Sequence, residues 1–168
     1  ISMPKEINRL VIDGLSDLHF TAGIGGNSAA TREGAESSKI YMVGNILMDT
    51  LRFNHQRFER PAVMDELGLA EKKYIVFTLN RKAIIGNDDE LRALLVSMMS
   101  HAGDVPVVAP LRKLAADAVK RIVNENPLLF EKLHIVAPLD YLHFGYLTAN
   151  ALGIVTDSGN VAEEATFN

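Results

Sequence analysis

The sequence predicts an α/β fold, a parallel sheet with helices on both faces. Two observations carry that reading: short β-branched runs alternate with amphipathic helical stripes along the chain, and the segments between successive runs have room for a helix, which makes parallel strands with right-handed crossovers the simplest topology. A composition of 48% hydrophobic and 23% charged residues over 168 positions supports a buried core.

In chain order, a helix is expected from Pro4 to Leu15, where proline suits the first turn. Strands follow at Leu18 to Thr21 and Ile40 to Val43, and a second helix from Ile46 to Phe58 would align Leu47, Leu51, Asn54 and Phe58. The glycines of Ala22-Gly23-Ile24-Gly25-Gly26-Asn27 miss the dinucleotide fingerprint and read as a flexible turn. Further strands are expected at Tyr74 to Leu79, Val105 to Ala109, His134 to Ala137 and Gly153 to Thr156. Leu91, Leu94, Leu95, Met98 and Met99 form one helical stripe among them; Leu114, Ala115, Ala118, Val119, Ile122 and Val123 form another. A last helix is expected to have barely begun at Gly159 when the chain stops.

The segment Phe53 to Pro61 is polar, aromatic and ends in proline, and strand–helix alternation starts afresh beyond it. A domain junction is placed there, with residues 1–56 as the tail of a first domain and 57–168 as an incomplete second one. Two strands are too few for an independent sheet, so the first domain is expected to begin before this chain does.

Seventeen basic against twenty-one acidic residues leave a net charge of -4, which excludes the electrostatic footprint of a nucleic-acid binder. No apolar run approaches the ~20 residues that cross a bilayer, and the opening Ile1-Ser2-Met3-Pro4 lacks the layout of a secretion signal. The absence of cysteine agrees with a cytoplasmic location. The five histidines show no metal-ligand spacing, so neither a metal nor a cofactor is expected, and they read as structural or surface residues.

Three strand ends could share a site. Val155-Thr156-Asp157-Ser158-Gly159-Asn160 runs from a strand through a small polar turn into a helix, aiming backbone N–H groups at the space outside the strand, where open α/β sheets bind ligands and a diphosphate would fit. The plainer reading is that Asp157 or Ser158 caps the helix and that Glu163 and Glu164 complement its dipole. Arg81, after Thr78-Leu79-Asn80, and Arg112, after Ala109-Pro110-Leu111, bring cations to the same rim and could clamp phosphate; solvated charged loops are the alternative.

The motifs Met3-Pro4-Lys5-Glu6-Ile7-Asn8-Arg9, Leu15-Ser16-Asp17-Leu18-His19-Phe20-Thr21, Val43-Gly44-Asn45-Ile46-Leu47-Met48-Asp49-Thr50, Pro138-Leu139-Asp140-Tyr141-Leu142 and Thr156-Asp157-Ser158-Gly159-Asn160-Val161-Ala162-Glu163-Glu164-Ala165 lie in register along the chain. Together they closely resemble the non-hydrolysing UDP-N-acetylglucosamine 2-epimerases. The resemblance implies half of a glycosyltransferase-B type fold with Rossmann-like domains, truncated here at both ends, a UDP-sugar substrate, a role in cell-envelope polysaccharide supply and a homodimeric parent. It implies that Ser158, Gly159 and Asn160 cradle phosphate, that Glu164 holds the ribose hydroxyls and that Phe144 lines the uracil pocket. The reaction it implies removes the C2 proton, expels UDP and re-adds it after reprotonation on the other face; this chain is expected to be inactive alone.

Departures from the family pattern leave the catalytic residues unassigned. The family's Pro-Glu-Glu is Pro4-Lys5-Glu6, so the usual catalytic glutamate is Lys5, with Glu6 beside it as a candidate. A family histidine is replaced by Asn80, another by Arg112, and the second glycine of Asp-Ser-Gly-Gly by Asn160. Two other readings therefore stand beside the epimerase: a UDP-sugar-binding module without catalysis, favoured by Lys5 and Asn80, and a glycosyltransferase of the same fold.

Overall fold

A computed structural model describes residues 3–168; Ile1 and Ser2, part of the opening segment considered above, lie outside the described residues. The chain divides into two compact units, Ile1–Phe53 and Asn54–Asn168.

Unit 1 contains helix α1 (Pro4–Leu15), strand β1 (His19–Thr21), helix α2 (Ile24–Arg32), a 3-10 turn at Ser37–Lys39, strand β2 (Ile40–Met42) and most of helix α3 (Ile46–Asn54). Strands β1 and β2 pair in parallel with His19 opposite Ile40, joined by α2 as the crossover. The expected flexible turn at the glycines is overturned: Gly25 and Gly26 lie in the first turn of α2. The stretch Asn27–Arg32 propagates the helix, and a Cβ at Gly26 would meet Thr21 Cβ at 3.1 Å, so glycine there lets α2 close onto β1. Helices α1 and α2 bury no residue, and Leu15, Phe20 and Ile24 stay mostly exposed.

Helix α3 stops at Asn54, short of the expected Phe58. A 3-10 turn spans His55–Arg57 and Phe58 is extended at φ −61°, ψ 132°. Two causes act together. Pro61 disfavours helical backbone at Arg60, and the Phe58 ring lies over Gly145, where an added Cβ would come within 2.4 Å of it.

Unit 2 is built on four parallel strands, β3 (Ile75–Thr78), β4 (Val107–Pro110), β5 (Leu133–Val136) and β6 (Gly153–Thr156), in the order β5-β4-β3-β6. All four were expected, shifted by up to two residues at their ends. Short helices α4 (Ala62–Glu66) and α5 (Lys82–Ile85) flank β3 in sequence; α6 (Asp88–Ala102), α7 (Lys113–Glu125) and α8 (Tyr141–Ala149) are the crossovers, and α9 (Gly159–Phe167) follows β6. The last helix thus runs for nine residues rather than barely beginning. Among the described residues no helix is long and apolar enough to cross a membrane.

Alternation along the central strands assigns the two faces. Phe77, Leu79, Val107 and Ala109 join Leu91, Leu95, Val119 and Ile122 of α6 and α7 in one core. Tyr74, Val76 and Val108 join Met64, Leu147 and Ala151 on the other side. Successive strand residues point to opposite faces, so the near-continuous apolar runs are what a sheet covered on both sides requires. The Tyr74 hydroxyl donates to the Leu147 carbonyl at 2.6 Å, satisfying a buried polar group, and burial raises its pKa.

Leu95 is fully buried between α6 and the sheet. Leu95→Ala is expected to cost about 2–5 kcal/mol of stability, read from the urea midpoint, because the packed strands cannot collapse into the cavity.

Candidate functional site

The chain runs β3, β4, β5 outward in one direction and then returns to place β6 on the other side of β3. Helices leave the carboxyl ends of β3 and β6 in opposite directions at such a reversal, and the crevice between them is where open α/β sheets take ligands. In unit 2 that edge holds a cleft of ≈ 320 Å³ lined by Thr78, Leu79 and Asn80 from the end of β3, Pro110 and Arg112 from β4, Pro138, Leu139 and Phe144 from the β5–α8 segment, and Ser158, Asn160 and Val161 from the start of α9.

The register of β3 with β6, from Ile75 opposite Gly153 to Thr78 opposite Thr156, brings the two turns together. The hydroxyls of Thr78 and Thr156 lie 2.6 Å apart, and Thr156 Oγ1 also accepts from the Ser158 N–H at 3.0 Å. Ser158 caps α9, its Oγ accepting from the Val161 N–H at 3.4 Å. The amides of Gly159 and Asn160 occupy the first turn, where a helix offers no internal acceptor, so they and the positive end of the dipole are available to an anion. The capping reading and the ligand reading of this turn are therefore compatible: Ser158 caps, and its two successors remain open.

Of the residues singled out from sequence, Asn80, Arg112, Phe144, Ser158 and Asn160 line the cleft, and Gly159 lies between two that do. Arg81 is exposed at the N-cap of α5, and its Nε donates to the Asp157 carbonyl at 3.3 Å. Arg112 is exposed at the N-cap of α7, without an ion-pair partner among the described residues. Glu164 does not line the cleft but follows Asn160 by four positions, on the same side of α9. It is half-buried, its carboxylate has no ion-pair partner among the described residues, and burial raises its pKa. The neighbouring Tyr141 hydroxyl is raised as well, by burial first and by the Glu164 charge second.

Lys5 and Glu6 lie in unit 1, exposed on the first turn of α1. Glu6 accepts from Arg9 Nε and Nη2 at 3.2 and 3.1 Å, and Arg9 also pairs with Asp13 and Glu33 at 2.9 and 2.8 Å. None of the eleven cleft-lining residues in unit 2 is a carboxylate or an imidazole. The lining thus offers polar groups, a cation and an aromatic ring, but no carboxylate or imidazole.

Two features escaped the sequence reading. His143, read from sequence only as a structural or surface residue, has Nδ1 2.8 Å from Asp140 Oδ2 and Nε2 3.8 Å from Glu59. Asp140 also caps α8 by accepting the His143 N–H, which, with the imidazole, holds its carboxyl below the ordinary range. An aspartate three residues before an amide it caps is a readable helix start. Asp157, the second, accepts from the Asn80 and Arg81 amides. Nothing local announces that pairing, because its partners are distant in sequence.

A four-stranded parallel sheet with its cleft at the strand-order reversal defines a Rossmann-like α/β domain. The family model described as UDP-N-acetylglucosamine 2-epimerase matches residues 1–168, and the chain belongs to that family. A UDP-N-acetylglucosamine 2-epimerase homolog of Methanococcus maripaludis is 31% identical over 98% of this chain and 46% of its own length. A UDP-2,3-diacetamido-2,3-dideoxy-D-glucuronate 2-epimerase of Pseudomonas aeruginosa is also 31% identical, over 98% of this chain and 45% of its own. The crystal structure of the Methanocaldococcus jannaschii UDP-GlcNAc 2-epimerase in complex with UDP-GlcNAc and UDP superposes with a TM-score of 0.79 at 28% identity, covering 98% of this chain and 47% of that one. The chain thus spans about half the length of the relatives it matches.

The raised Glu164 pKa has a signed consequence. The unfolded carboxyl ionises first as pH rises, so the native state loses stability through the carboxylate range and the loss is complete above the folded pKa. Glu164→Gln is expected to raise the thermal midpoint near neutral pH and to reduce this fall; an unchanged pH profile would count against the burial described.

Proposed function

We propose that residues 57–168 are the UDP-binding domain, and residues 1–56 the end of the preceding domain, of an enzyme that epimerises UDP-N-acetylglucosamine at C2. The observation that carries this reading is the anion cradle of unit 2: the open Gly159 and Asn160 amides and the exposed cations Arg81 and Arg112 at one sheet edge. In this reading the diphosphate takes the α9 N-terminus and the cations, the uracil lies against Phe144, and Glu164 accepts from the ribose hydroxyls. Helical spacing supports the last assignment, since Asn160 and Glu164 share a face.

The reaction breaks the C1–O bond to UDP while a base removes the C2 proton; a proton then returns to C2 on the opposite face as UDP re-forms the C1–O bond. Stabilising the departing diphosphate is the part this cleft is equipped for. Proton transfer needs groups its lining lacks, which agrees with catalysis requiring the rest of the relatives' length. The family's activity on a second, differently substituted UDP-sugar supports a UDP-centred site whose sugar preference is set elsewhere. A cytoplasmic, homodimeric enzyme of cell-envelope polysaccharide supply is the setting we propose for the parent. A catalytically silent UDP-sugar-binding module is the second reading, favoured by Lys5 and Asn80 at positions where the family pattern has a glutamate and a histidine.

Calorimetric titration tests the site. UDP is expected to bind this chain more tightly than 2′-deoxy-UDP by about tenfold or more, the worth of a hydrogen bond to a charged group. Glu164→Ala should weaken UDP and shrink the difference between the two ligands; an unaltered preference would remove Glu164 from the site.

Activity provides an independent check. The purified chain incubated with UDP-N-acetylglucosamine is expected to give no C2 epimer by NMR, since acid, base and phosphate cradle act only when held in one closed site. Turnover surviving a host-enzyme control would overturn this.

A further inference from the structure

Beyond Thr78 and Thr156 the β3–β6 ladder ends, yet the two turns that follow stay bound to each other. The bond is made by Asp157. Its Oδ2 accepts the Asn80 N–H at 2.8 Å and the Arg81 N–H at 2.6 Å, while Arg81 Nε donates to the Asp157 carbonyl at 3.3 Å. Its Oδ1 is buried without a partner among the described residues. A carboxylate beside two amides meant for an anion is electrostatically adverse to a bound diphosphate. What it supplies in return is position. Arg81 is an exposed, rotamer-rich side chain, and fixing its backbone and Nε before a ligand arrives removes part of the ordering cost of binding.

We propose that Asp157 is a positioning residue of the phosphate site: it locks the turn carrying Asn80 and Arg81 against the start of α9 and acts through them, without touching the ligand. This rests on the UDP-site reading above for its ligand, but the lock itself is a property of the chain. Asparagine can supply one oxygen to the same two amides, and its NH2 would replace Oδ1, one unpartnered buried atom for another. The geometry therefore requires an acceptor at this place and does not require a charge.

The test compares Asp157→Ala and Asp157→Asn in the full 168-residue chain, with UDP and uridine as ligands, thermal unfolding as control and amide hydrogen exchange at Asn80 and Arg81 as direct readout. Asp157→Ala is expected to weaken UDP by about tenfold, leave uridine unchanged and speed exchange at both amides. Asp157→Asn should retain most of the UDP affinity and the slow exchange. In an Arg81→Ala background the Asp157→Ala change should add a smaller loss than in the wild-type chain, because part of its effect runs through Arg81. Equal losses for UDP and uridine, an Asn variant as impaired as the Ala variant, or unchanged exchange in Asp157→Ala would each overturn the proposal. A wild-type chain that binds no UDP would overturn the site reading and the ligand half of this one, leaving the lock to be decided by exchange alone.

Discussion

The meeting of the β3 turn with the start of α9 depends on the parallel pairing of β3 with β6. These strands are separated by the β4 and β5 crossovers in sequence, and their four-residue register sets Thr78 beside Thr156. From that point the chain leaves β3 toward α5 and β6 toward α9, so the β3 turn with its cations and the α9 amides face a common space. A one-residue slip would turn Thr78 and Thr156 to opposite faces and separate the groups that follow them. The slip is opposed on both sides of the sheet: Val76 and Ile154 pack with one core, Phe77 and Val155 with the other. Binding geometry at the rim is therefore a consequence of packing in the interior.

The distribution of chemistry between the two units follows the same logic. The cleft of unit 2 is lined by hydrogen-bonding groups and one cation, Arg112, with no carboxylate or imidazole. The candidate carboxylate of unit 1, Glu6, is held by Arg9, whose other partners are Asp13 and Glu33. In the proposed elimination of UDP, anion stabilisation and proton transfer are separable tasks, and the open amides at the start of α9 suit the first.

Much of this was legible in the sequence where one strong physical signal acted alone. The six strands and the long stripes of α6 and α7 follow from burial on two faces, and Pro4–Leu15 emerged with its bounds intact. Errors arose where local propensity competed with a tertiary contact. Gly25 and Gly26 looked like a turn because glycine weakens helices, but close approach to Thr21 favours them in α2. Phe58 looked helical from its spacing, but its ring is drawn onto Gly145. The places of Ser158, Asn160 and Arg112 beside the candidate cleft were readable from the strand ends they follow, whereas the Asp157 bonds to Asn80 and Arg81 were not. Those contacts span 77 and 76 positions, and only the strand order brings them together.

The thin interior of unit 1 bears on how the chain unfolds. Its helices α1 and α2 bury nothing, its sheet has two strands, and Leu15 and Phe20 are 81% and 66% exposed. Denaturant sensitivity scales with the area that unfolding exposes, and α1 and α2, which bury no residue, have a small share of it. Both buried clusters lie in unit 2, so the cooperative transition of the chain is expected to be carried mainly there. In the 168-residue chain, opening unit 1 gives up little packing, so its amides are expected to exchange faster than those of the unit 2 strands.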